Sequence, residues 1–169
     1  MPPFWSSRPA GPGPRQRAEH FVRALGLPLP DAEWAWIEAL GVPTAVARRE
    51  VTWAVRAVGL IVASRDALDD QTVAEVTHAL ERATSADAGW SDRRGQYLEA
   101  HGARGTGDAV ARRLARVLLA AAGVPDAPEP LEVAAAFLMR QRVRLNGELG
   151  RAFGVAQLPE DRPPSAARG

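Results

Sequence analysis

Residues 44–64 read TAVARREVTWAVRAVGLIVAS, and this stretch decides the fold class. Val51, Val55, Val58 and Val62 recur every three or four residues, with Ala54 and Ile61 beside them. That period puts them on one face of an α-helix, whereas a strand would alternate in twos. Thr44 is read as the cap of this helix, which runs to about Ser64 and is expected to be central. Its most apolar part, Val51–Ala63, contains Arg56 and falls short of the ~18 apolar residues of a membrane span. It predicts a buried helix.

The same period, punctuated by Pro and Gly, continues on both sides. Arg15–Leu25 predicts a helix with Gly26 just past its end, and Asp31 caps a short one to Leu40, closed by Gly41 and Pro43. Further on, Asp69 or Asp70 caps a helix carrying Val73, Val76 and Leu80. A short helix opens at Ser91, and His101–Gly107 reads as a loop. Asp108 then caps a helix bearing Val110, Leu114, Val117 and Leu118, which Gly123 closes. Pro125, Pro128 and Pro130 read as a stiff connector. The last helix is expected over Leu131–Phe153, with Leu131, Ala134, Leu138, Leu145 and Leu149 on one stripe. The expected architecture is all-α, a compact bundle of about six or seven helices. Residues 15–154 form its single domain, residues 1–14 a flexible Pro/Gly-rich arm, and residues 155–169 a disordered tail.

Composition excludes several chemistries. The chain has no Cys, so disulfides, thiolate metal sites and cysteine nucleophiles are out. All 21 basic residues are Arg, which rules out Schiff-base chemistry and a phosphate loop of the Gly-Lys-Ser/Thr kind. Arg in place of Lys, with abundant Ala, Gly and Pro, is what a GC-rich bacterial genome writes. A net charge of +1 carries no bias towards nucleic acid or a membrane surface. Met1–Gln16 lacks the apolar centre of a secretory signal, so the cytoplasm is the expected compartment.

Candidate metal ligands are few. Glu75-Val-Thr-His78 has the carboxylate–imidazole spacing of a di-iron helix, but neither His20 nor His101 supplies the second copy such a site needs. Asp66, Asp69 and Asp70 make an acidic cluster with oxygens for a hard cation, yet without the Gly and distal Glu of a calcium loop. Helix capping accounts for the cluster, and no cofactor is expected.

Two arginine faces and a pair of tryptophans remain. Arg140, Arg144 and Arg151 fall within about 40° of one another at 100° per residue, and Arg112, Arg113 and Arg116 group likewise. Either face is a basic candidate for phosphates or an acidic partner, or simply a solvated surface. Glu33–Val55 can also be laid on a helix-turn-helix frame with Arg48 and Arg49 facing DNA, but that frame buries Glu50. Trp34 and Trp36 diverge by about 200° on one short helix. One of them is therefore expected to stay accessible as an interface anchor. Arg142 lies along the Leu138–Leu145 stripe and is expected to meet a carboxylate at the core edge.

No catalytic constellation stands out, and the sequence favours a non-enzymatic helical adaptor or regulatory protein that binds another protein or itself. The alternatives are an Arg-mediated nucleic-acid binder, and a bundle enzyme or metal protein using Asp66, Asp69 and Asp70 or Glu75 and His78.

Overall fold

In the computed structural model, which describes residues 11–104 and 109–154, every regular element is a helix. They are α1 (Pro14–Leu25), α2 (Asp31–Glu38), α3 (Thr44–Asp66), α4 (Asp70–Ala83), α5 (Trp90–Gly102), α6 (Val110–Ala121) and α7 (Pro128–Phe153). Most of the proposed arm, the whole tail and the expected cap Asp108 lie outside the described residues. No helix there is long and apolar enough to cross a membrane.

α3 is the central element and packs against all six other described helices. Val51, Ala54, Val55, Val58, Ile61 and Val62 are buried, as their period requires. Gly59 permits the close approach of α1, because a Cβ there would lie 2.5 Å from Leu25 Cδ2. α7 lies along α3, α6 and α1, with Leu131, Ala134, Leu138, Leu145 and Leu149 facing inward.

Helix starts differ from expectation where proline intervenes. Pro30 and Pro43 hold the extended cap positions, so Asp31 and Thr44 become the first helical residues and make no side-chain cap bond. Asp31 and Glu33 still sit in the first turn of α2, where negative charge complements the helix dipole. Pro128 and Pro130 are not a connector but the first turn of α7, whose unbonded N–H positions tolerate them. α5 starts at Trp90 rather than Ser91, after Gly89 at φ 85°. Trp53 lies 3.4 Å from where a Gly89 Cβ would sit, so both conformation and space call for glycine.

Asp69 caps α4: its carboxylate accepts the Thr72 N–H at 2.6 Å. That backbone bond holds its pKa below the ordinary 3.8. Because the folded value is depressed, the stabilisation is present at neutral pH and lost as pH falls through the folded value. Asp69→Ala should therefore melt earlier than the parent at pH 7, and the gap should close below the ordinary carboxylate range. A gap independent of pH in thermal melts would refute the capping role.

Candidate functional site

The amino-terminal half of α3 carries Arg48, Arg49, Thr52 and Arg56, spaced so that they share one side of the helix. Each arginine is placed by a different neighbour. The Arg48 guanidinium lies over the Trp34 ring at 5.1 Å, and Arg49 lies over Trp53 at 5.3 Å. Arg56 pairs with Asp87 of the α4–α5 loop. Trp34 is itself fixed by its Nε1–H, which donates to the Leu29 carbonyl at 3.1 Å. Stacking on a ring face leaves the N–H edge of a guanidinium open to a carboxylate. Arg48 is exposed, and among the described residues no carboxylate or hydrogen-bond acceptor meets its guanidinium.

Beneath this face lies a buried carboxylate. Glu50 is 0% exposed and accepts from Arg49 Nε and Nη2 at 3.1 and 2.9 Å, both on Oε1. Its Oε2 is 3.0 Å from Arg93 Nε of α5, although the two are not aligned for a hydrogen bond. Trp53 and Trp90 close the space alongside, with ring centroids 6.4 Å apart. Tyr97 Oη and Trp90 Nε1 are buried there without partners. Burial pushes the Tyr97 hydroxyl far above its usual pKa; nearby Glu50 adds to this and Arg93 opposes it.

Two adjoining hollows open on this face. One, of about 250 Å³, is an apolar cup walled by Leu27, Leu29, Trp34 and Val55. The other, of about 470 Å³, is a groove bearing Arg49, Trp53, Arg56 and Asp87. Arg48 and Thr52 line both, so the cup and groove form one continuous surface. Three guanidinium groups face the groove against one carboxylate, Asp87.

The other residues singled out by sequence are placed as follows. Trp36 turns away from Trp34 and stacks on Phe137 of α7, with centroids 5.5 Å apart. Both tryptophans are half-buried, Trp34 at the wall of the cup and Trp36 against Phe137. The two arginine faces are engaged by the protein itself. Arg112 pairs with Glu132 at 2.7 Å and Arg116 with Asp126 at 3.4 Å. Arg113 donates to the Ala100 and His101 carbonyls at 2.7 and 3.1 Å, tying α6 to the end of α5. Arg140 makes a two-pronged pair with Glu33, both bonds 3.1 Å, and Arg151 pairs with Glu148. Arg144 bonds Gln141 and the Ala24 carbonyl, and burial lowers its pKa.

Arg142 departs from its expectation: it is half-buried along the apolar stripe, but among the described residues no carboxylate or other acceptor meets it. The core-edge position was right; the acid is missing because no neighbouring helix brings one there. The metal candidates are not brought together either. Asp69 is a cap, Asp66 accepts from Asn146 at 3.2 Å, and His78 is exposed. Among the described residues no three carboxylates or imidazoles form a cation site.

No protein-family model matches the chain, and no curated protein or solved structure is significantly similar to it.

Proposed function

We propose that this chain is a non-enzymatic helical adaptor that binds an acidic, partly apolar segment of another protein on the Arg48–Trp34 face. The observation that carries this reading is Arg48 itself. It is exposed, pre-oriented on an aromatic ring, paired with no carboxylate among the described residues, and set where an apolar cup meets an arginine-lined groove. Trp and Arg are the side chains that most often dominate binding energy, and a side chain already held in place loses less entropy on binding. The cytoplasm of a bacterium, inferred from composition, belongs to the same proposal.

Nucleic acid is the weaker reading. The groove offers one ring, Trp53, already covered by Arg49, and the six arginines of the two basic faces are engaged within the protein, whereas a track of phosphates needs a row of available cations.

The test is fluorescence anisotropy with labelled peptides in which Leu or Phe is flanked by Asp and Glu, against a neutral scramble. Arg48→Ala and Trp34→Ala should each weaken binding of the acidic peptide at least about tenfold, equivalent to roughly 1.4 kcal/mol. Acidic and neutral peptides binding alike, or Arg48→Ala binding like the parent, would refute the proposal. Tighter, steeply salt-dependent binding of random-sequence DNA would assign the face to nucleic acid instead.

A further inference from the structure

The arginines that line the groove are not equivalent. Arg49 is committed to buried Glu50, and Arg48 lies over Trp34. Arg56 is held by Asp87, the one carboxylate that lines the groove. We infer, resting on the reading that this face binds an acidic segment, that the segment carries two acids and that Asp87 holds the place of the second. On binding, the partner's carboxylate takes Arg56 over from Asp87.

Asp87 itself shows that a carboxylate fits on Arg56 Nη1. Of the two, the acid is the easier to move. Arg56 is 18% exposed and stands on α3, whereas Asp87 is 36% exposed in the turn between α4 and α5. The backbone of that turn is pinned: the Asp87 N–H donates to the Thr84 carbonyl at 2.9 Å, and the Trp90 N–H donates to the Asp87 carbonyl at 3.1 Å. The Asp87 side chain alone therefore swings out to water while the turn stays in place. A pair this close to solvent is weak enough to be exchanged for another carboxylate. Both acids in the contest are tethered, one to the turn and one to a segment already seated on the cup. The partner's affinity therefore includes the work of displacing Asp87.

The helix sets the spacing of the two acids. Arg48 and Arg56 leave α3 two turns apart, about 12 Å along the axis at ~1.5 Å per residue. An extended segment advances about 3.3 Å per residue, so its acids stand about four residues apart. Arg48 and Thr52 join cup and groove, which orders the segment. Its apolar side chain lies in the cup, its first acid at Arg48 and its second at Arg56.

The test is fluorescence anisotropy with three labelled peptides. One has a Leu with a single Glu beside it, one has a second Glu four residues beyond the first, and one has that second Glu next to the first. The parent should bind the spaced peptide more tightly than the adjacent one, although their charge is the same. Asp87→Asn keeps an oxygen for Arg56 and loses the charge. It should tighten binding of the spaced peptide about threefold or more, and of the other two by less than about twofold. Asp87→Ser should act in the same direction, and thermal melts of each variant confirm the fold. With Arg56→Gln the gain should vanish, whereas Arg48→Ala should weaken all three peptides and keep it. The inference is overturned, with the adaptor reading still standing, if spaced and adjacent peptides bind alike, if Asp87→Asn gives no gain or an equal gain for all three, or if the gain survives Arg56→Gln. Binding of all three peptides that ignores Arg48→Ala would overturn the adaptor reading itself and the inference with it.

Discussion

Arg93→Ala should lower the unfolding free energy by about 3 kcal/mol or more, while Arg49→Ala should cost about 1 kcal/mol or less. Both guanidinium groups serve the same carboxylate, Glu50, which is fully buried. They differ in what their loss leaves behind. Arg49 is 53% exposed, and water already shares its charge; without it, Glu50 keeps Arg93 at 3.0 Å. Arg93 is only 20% exposed, and without it Glu50 keeps only the two Oε1 bonds from the half-exposed Arg49. A buried carboxylate left with only a water-shared counter-charge is the costly outcome, more than the lost attraction itself. The double variant Glu50→Leu/Arg93→Met should recover much of the loss, since it removes the charge with its partner. Urea unfolding at pH 7 checks all three. Equal losses for Arg49→Ala and Arg93→Ala, or a double variant no better than Arg93→Ala, would refute this account.

That network marks the limit of what can be read along the chain. The valine period of α3 and the Gly and Pro punctuation announced the helices directly, because both act within a few residues. Helix starts slipped where Pro30 and Pro43 took the cap positions expected of Asp31 and Thr44, where Pro128 and Pro130 joined the first turn of α7, and by one residue at Trp90. Partner choice is another matter. Glu50 and Arg142 give the same one-dimensional signal, a charge on the apolar side of a long helix. The first meets Arg93 because α5 docks across α3; the second meets no acid among the described residues. The arginine faces show the same thing. Helical period groups Arg112 and Arg140 with their neighbours, but it cannot place Glu132 of α7 opposite the first or Glu33 of α2 opposite the second. Arg48 and Trp34 were each visible as residue types that bind. Their stacking depends on the turn between α2 and α3, so the site they make together was not visible.

The second large effect is expected where α2 is anchored. Phe137→Ala should cost about 3–5 kcal/mol, the usual range for emptying a fully buried aromatic site. Phe137 is also the ring on which Trp36 rests. α2 is a short helix whose one fully buried side chain is Ile37, and Glu33–Arg140 adds an exposed pair. The Trp36–Phe137 contact is thus an apolar tie between α2 and α7. Trp36→Ala should lose most of the same free energy, whereas Trp36→Phe should stay within about 1 kcal/mol, since it keeps a ring and removes an N–H that has no partner. Trp34→Ala should cost clearly less than Trp36→Ala, because Trp34 walls an open cup rather than bridging two helices. Denaturant melts order the four variants, and hydrogen exchange over residues 31–38 should rise in Phe137→Ala before the rest of the bundle opens. If Trp34→Ala and Trp36→Ala are equally destabilising, the division between a binding tryptophan and an anchoring one fails. If it holds, Phe137→Ala should also weaken acidic-peptide binding with every residue of the Arg48 face intact, because the helix that presents Trp34 has lost its anchor.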